Sequence, residues 1–278
     1  MQYFATLFFT LAVCFAAQSL ALRAVGGRTL KSESNYFSSI ARIQSGARDQ
    51  PEITFLGSSI TGRLPDRAQG FEKVANMGCD GGSAIDALRA MDRGSLPISP
   101  VIVIEANTLF KAFDTQETEI SQSIRSSWFR VGRQFSALSA TARPSAFFYS
   151  RLLASKIGAA GGPDGERVDV ATSPAVPAIE LASLGNQRQD DVISELAGIL
   201  ERLRQQGSSC WVVAFPPKMD AGSTRYQIGQ ALAAKARIPF WDLGGGMPAN
   251  RIVLTDGVHM APATAAVAVR ELLPALKK

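Results

Sequence analysis

Histidine occurs once in the 278 residues, as His259 in Asp256-Gly257-Val258-His259 near the C-terminus. An apolar run near the N-terminus ends in Gly57-Ser58-Ser59-Ile60-Thr61. Only histidine has an unperturbed pKa close to neutral, so it can take a hydroxyl proton and return it within one catalytic cycle. An aspartate three residues upstream can hold the far ring nitrogen and fix the tautomer. These residue types suit serine-based acyl transfer with His259 as general base. A lone surface or core histidine beside an unrelated turn is the alternative.

Such residues must be carried by elements that bring distant parts of the chain together. Short apolar runs alternate with helical stretches, the pattern of a parallel sheet with covering helices. Strands are expected at 53–56, 74–77, 101–104, 211–215 and 239–243. Val101-Ile102-Val103-Ile104 is the clearest, because four consecutive β-branched residues suit a strand buried on both faces. Pro216-Pro217 stops the fourth. Helices are expected at 83–91, at 190–206 and at 263–273 with Pro262 in its opening turn, and an irregular helical insertion spans about 110–185, including a loop at 158–177. In an open parallel sheet the C-terminal strand ends form the ligand crevice. Ser59, Gly78 and Asn107 follow the first three strands and the Asp256/His259 loop follows the fifth, so all can converge there.

At these positions the chain resembles the SGNH or GDSL hydrolase family. Leu56-Gly57-Ser58-Ser59-Ile60-Thr61 is similar to the first family block, with Ser59 in register with the nucleophile and Ser58 in place of the usual aspartate. Asn76-Met77-Gly78-Cys79-Asp80-Gly81-Gly82 is similar to the second, and Glu105-Ala106-Asn107-Thr108 to the third, normally Gly-x-Asn-Asp. Asp256-Gly257-Val258-His259 matches the last without change. The resemblance covers roughly 51–273 with the insertion unmatched. It implies a flavodoxin-like three-layer α/β/α sandwich and an acyl-enzyme on Ser59, with His259 as base and Asp256 as its partner. The Ser59 N–H, the Gly78 N–H and the Asn107 side-chain amide would form the oxyanion hole. Glu105 is not explained by the resemblance: an ordinary ion pair is the default, orienting the Asn107 amide or binding a sugar hydroxyl the alternatives.

A chain with 46% hydrophobic residues can bury a full core, so 51–278 is expected to form the folded domain. Residues 3–22 carry no charge and suit a signal peptide or single membrane anchor, followed by a linker over 23–50. Export to an extracytoplasmic location follows. Cys79 and Cys210 are too few for a disulfide scaffold and are expected to pack as small apolar groups. The net charge is +5, yet no nucleic-acid-binding signature accompanies it. Between Glu119 and Asp164 no acidic residue occurs, while Arg125, Arg130, Arg133, Arg143, Arg151 and Lys156 alternate with Phe129, Phe135, Phe147 and Phe148. That segment suits a solvated helical face, or contact with an anionic membrane or glycan. One histidine and scattered carboxylates make no zinc site, and neither a dinucleotide nor a P-loop fingerprint is present, so no cofactor is expected. The expected activity is removal of O-acyl, foremost O-acetyl, groups from a carbohydrate. An envelope polysaccharide O-acetyltransferase and a non-catalytic glycan-binding module are the alternatives.

Overall fold

The computed structural model describes residues 2–24, 32–48, 50–113, 117–157 and 186–276. Five strands, β1 (Ile53–Gly57), β2 (Val74–Gly78), β3 (Val101–Glu105), β4 (Ser209–Ala214) and β5 (Phe240–Asp242), form one sheet in the order β2-β1-β3-β4-β5. All pairings are parallel, with Ile53 opposite both Val74 and Val101. This is the flavodoxin-like order, whose switch point lies between β1 and β3. Every expected strand is present within two residues of its expected bounds.

Helices cover both faces. In chain order they are α1 (Gln2–Ala24), α2 (Asn35–Gly46), α3 (Ser59–Gly62), α4 (Ile85–Asp92), α5 (Glu119–Arg125), α6 (Ser127–Gln134), α7 (Pro144–Ile157), α8 (Asn186–Gln205), α9 (Thr224–Ala236), α10 (Leu243–Gly246) and α11 (Pro262–Leu276). Successive strand residues point to opposite faces, and the core divides accordingly. Leu56, Met77, Ile102, Ile104 and Val212 pack beneath α2, α4, α8 and α9. Phe55, Val74, Val103 and Val213 pack against Ile60 of α3 and against Ala265, Val269 and Leu272 of α11. The result is a three-layer α/β/α sandwich.

The span 23–50, expected to be a linker, contains α2, which is buried against β2. Its inner face packs Ile40, Ala41 and Ile43 into the core but also buries Ser38, Ser39, Gln44 and Ser45, so polar residues interrupt the apolar pattern that marks a packed helix. Side-chain bonds satisfy the buried polar groups beside that apolar contact: Ser39 Oγ accepts from the Asp80 N–H, and Gln44 reaches the Phe129 carbonyl and the Ala140 N–H. The packed unit thus begins before residue 51. Helix α9 was also not anticipated. Ser223 caps it, and Gly229 lets it approach β4 and β5 closely.

The insertion is helical and irregular as far as 157; the loop expected at 158–177 lies outside the described residues. Three of its arginines have partners within the protein, the Arg125 pair remaining solvent-exposed. Arg125 pairs with Glu117, Arg143 pairs with Glu33 and lies over the Phe37 ring, and Arg133 donates to the Ser95 carbonyl. The side chains of Arg151 and Lys156 lie outside the described set. Helix α1 has the length and composition of a membrane span or a signal sequence, and none of it is buried in the protein.

Cys79 and Cys210 are free and buried, and burial pushes both thiols up to about 11. Thiolate is the reactive form, so in the native chain neither should be alkylated by iodoacetamide at about pH 8, and both should react once denaturant is added. Peptide mass mapping of the two labelled states checks this.

Candidate active site

The turn that presents Ser59 begins where β1 ends. Ser58 caps α3, its hydroxyl accepting from the Ile60 N–H at 3.1 Å. Ser59 is the first residue of α3, so its N–H has no intrahelical acceptor and its side chain faces the crevice. The second component comes from a closed loop between Leu254 and Met260, which form an antiparallel bridge. Within it the Thr255 N–H donates to the His259 carbonyl, and Asp256 Oδ1 accepts from the N–H groups of Val258 and His259. Gly257 adopts φ +78°, a left-handed conformation that favours glycine. The loop thus fixes its own shape before any substrate is considered.

Packing brings the two components together. His259 Nε2 lies 2.7 Å from Ser59 Oγ, and His259 Nδ1 lies 2.7 Å from Asp256 Oδ2. Ser59, His259 and Asp256 therefore form a continuous hydrogen-bonded relay. Burial alone would raise the Asp256 carboxyl, but the backbone N–H and the imidazole of His259 outweigh it and hold the group below the ordinary carboxylate value. Arg63, at the C-terminal end of α3, adds a guanidinium 3.8 Å from Asp256 Oδ2. Nothing in its sequence context marked Arg63; only the approach of α3 to the His259 loop reveals it.

No protein-family model, curated protein or solved structure matches this chain. What the site can do rests on its own geometry: a hydroxyl, an imidazole and a carboxyl in line can deliver an alkoxide-like nucleophile to a carbonyl carbon.

The expected oxyanion donors are arranged less simply. Asn107 is buried, and its side chain clamps the Phe215 peptide, Nδ2 donating to the carbonyl and Oδ1 accepting from the N–H, each at 2.9 Å. One Nδ2 hydrogen is left over, with its direction set by that clamp. The Gly78 N–H is directed to Asn76 Oδ1 at 2.9 Å, so it reaches an oxyanion only by sharing or leaving that bond. The Gly78 carbonyl accepts from Arg42, whose guanidinium also pairs with Asp80. A Cβ at residue 78 would collide with Gly62 and the Ser58 carbonyl, so glycine is required there for packing. Asn76, which sequence reasoning did not single out, ties this edge together by also donating to the carbonyls of Thr61 and Leu64.

Glu105 departs most from expectation. It is fully buried, and no ion pair to it occurs among the described residues. Nor does it touch the Asn107 amide, which is engaged elsewhere. Instead five donors converge on it: the N–H and hydroxyl of Ser58, the N–H and hydroxyl of Thr61, and the hydroxyl of Thr108. A polar side chain at position 58 and hydroxyls at 61 and 108, all close to an unexplained glutamate, were the available signals. A cavity of about 510 Å³ opens beside α3, lined in part by Arg42, Gly62, Arg63, Asn76 and Arg270. Ser59, His259 and Asn107 are not among its walls.

Glu105→Ala strands several buried donors and should lower stability by about 3 kcal/mol or more. Glu105→Gln can still accept the two N–H groups with its carbonyl while the Ser58 and Thr108 hydroxyls reverse, so it should be distinctly milder; urea denaturation of the two variants gives the order. For Asp256, a folded-state pKa below the unfolded value means its stabilising contribution is present above the ordinary carboxylate range and is lost as pH falls through the lowered value. The thermal midpoint of the native chain should therefore drop more steeply than that of Asp256→Asn between about pH 5 and pH 2.

Proposed function

We propose that the chain is a serine-dependent esterase of the SGNH type, removing O-acyl groups, foremost O-acetyl, from an envelope or extracellular carbohydrate. The observation that carries the reading is the Ser59–His259–Asp256 relay, with 2.7 Å at each link, at the C-terminal edge of a parallel sheet. In the first step His259 Nε2 takes the Ser59 proton as Oγ attacks the ester carbonyl carbon, and Asp256 stabilises the imidazolium. The oxyanion is met by the Ser59 N–H and the remaining Nδ2 hydrogen of Asn107, with the Gly78 N–H as a third donor if it turns from Asn76. His259 then protonates the departing sugar oxygen. Water, deprotonated by His259, attacks the acyl-enzyme and releases the carboxylic acid with Ser59 restored.

An extracytoplasmic address accords with α1, whose apolar length suits export or anchoring. The same helix favours a second reading, an O-acetyltransferase of envelope polysaccharide, in which a sugar hydroxyl replaces water in the second step. A glycan-binding module that keeps the fold without chemistry would not need the relay.

A fluorophosphonate probe should label the native chain at Ser59, and Ser59→Ala or His259→Ala should each abolish labelling and reduce aryl acetate turnover by about 10³-fold or more. Asn107→Ala should cost about 10²–10³-fold in turnover. No labelling of folded protein would overturn the enzymatic reading in favour of the binding module. With a saccharide acceptor added, free acetate as the main product supports the esterase, whereas acetylated sugar with little free acetate assigns the transferase.

A further inference from the structure

Large apolar side chains that stay well exposed are confined to two places among the described residues: α1 and the stretch 128–152. The rest of the described body presents none. Helix α6 shows how the second place arises. Its inner side carries the fully buried Phe129 and Gly132, which abuts Gln44, while Trp128, Val131 and Phe135 follow at helical spacing on the outer side. Leu138, in the 3₁₀ turn Ser136–Leu138, and Phe148 on α7 extend the patch, and these five side chains are between 40% and 64% exposed.

The two apolar places adjoin. Helix α1 runs against the turns Ser136–Leu138 and Ala140–Ala142, which in turn contact α6 and α7. The apolar helix therefore leaves the body beside the exposed aromatic residues. This stretch also lacks any acidic residue between Glu119 and Asp164, and Arg130 is exposed on α6. Trp, Phe and Leu beside arginine on a half-buried helix is the composition of a surface lying at the headgroup level of a bilayer. A scattered exposed Leu would need no explanation, but a contiguous set placed at the foot of a span-length helix does.

We propose that the outer face of α6, with Leu138 and Phe148, rests in the interfacial layer of the bilayer that α1 enters, so that the domain is held against the membrane rather than tethered beside it. The proposal is independent of the chemistry at Ser59 and stands or falls separately from it.

The full chain, placed as single copies in nanodiscs of phosphatidylcholine and anionic phosphatidylglycerol brominated high on the acyl chain, tests it through tryptophan emission. Trp211 and Trp241 belong to the sheet, so Trp128 should account for most of the quenching, and Trp128→Phe should lose it. Phe135→Glu with Phe148→Glu should also reduce quenching of Trp128 while the circular dichroism spectrum is retained. Equal quenching of native chain and Trp128→Phe, or none in either, would overturn the proposal and show that another part of the protein, or a second copy, covers the patch.

Discussion

The space that a side chain at position 57 would need is occupied by Glu105. A Cβ on Gly57 would fall inside contact distance of the Glu105 carboxyl and of the Thr61 hydroxyl, so the end of β1 must be bare for the end of β3 to come alongside. The carboxyl then accepts from both ends of the turn that follows, at Ser58 and at Thr61. Ser59 lies between those two anchors. Its position is thus set by two neighbouring strands and one buried polar group. A buried cluster of this kind is stabilising only while each donor has its acceptor, which makes the geometry of the turn a condition of the fold rather than an ornament upon it.

The other half of the relay is independent of that turn. The Asp256–His259 loop closes on its own backbone, with Asp256 dividing its labour: Oδ1 takes two backbone N–H groups and Oδ2 takes the imidazole. Two preformed pieces therefore meet across the crevice, and their separation depends on the packing of α3 and α11 on one face of the sheet. Ile60 and Leu64 share a core with Leu254, Met260 and Ala265, so the hydrophobic contacts that bury α3 also set the distance from Ser59 to His259. Rigid placement of this sort is what a proton transfer requires, since the reacting atoms must already be within hydrogen-bond reach.

Much of this was legible in the chain. Runs such as Val101–Ile104 announce a doubly buried strand by composition, and residues at strand ends inherit their place from the parallel sheet. Asp256 and His259 suggested themselves by residue type, because a single histidine leaves no choice of base, whereas Ser59 was preferred to Ser58 by its register in the resemblance. Other features were opaque for physical reasons. Helix α2 buries three serines and a glutamine beside Ile40, Ala41 and Ile43, so its apolar stripe is short and broken by polar residues. The partners of Glu105 and Gly78 are set by contacts a few ångströms across between strands, which periodicity does not encode. Arg63 reaches Asp256 over 193 positions, and the approach exists only once α3 and the C-terminal loop are packed.

Glu33 joins the segment after α1 to the insertion. It lies on the chain between α1 and α2, and it pairs with Arg143, which also covers the Phe37 ring at the start of α2. Its carboxyl is brought down to about 2: burial opposes ionisation, but the Ser32 hydroxyl, its own backbone N–H and Arg143 together outweigh it. Helix α2 in turn supplies Ser39 to the Asp80 N–H and Arg42 to the Gly78 carbonyl, at the edge of the crevice. Helix α2 thus touches the segment after α1 at one end, through Arg143, and the loop after β2 at the other. The burial of α2 itself comes from Ile40, Ala41 and Ile43, which share a core with Met77 of β2, and the polar contacts are added to that packing.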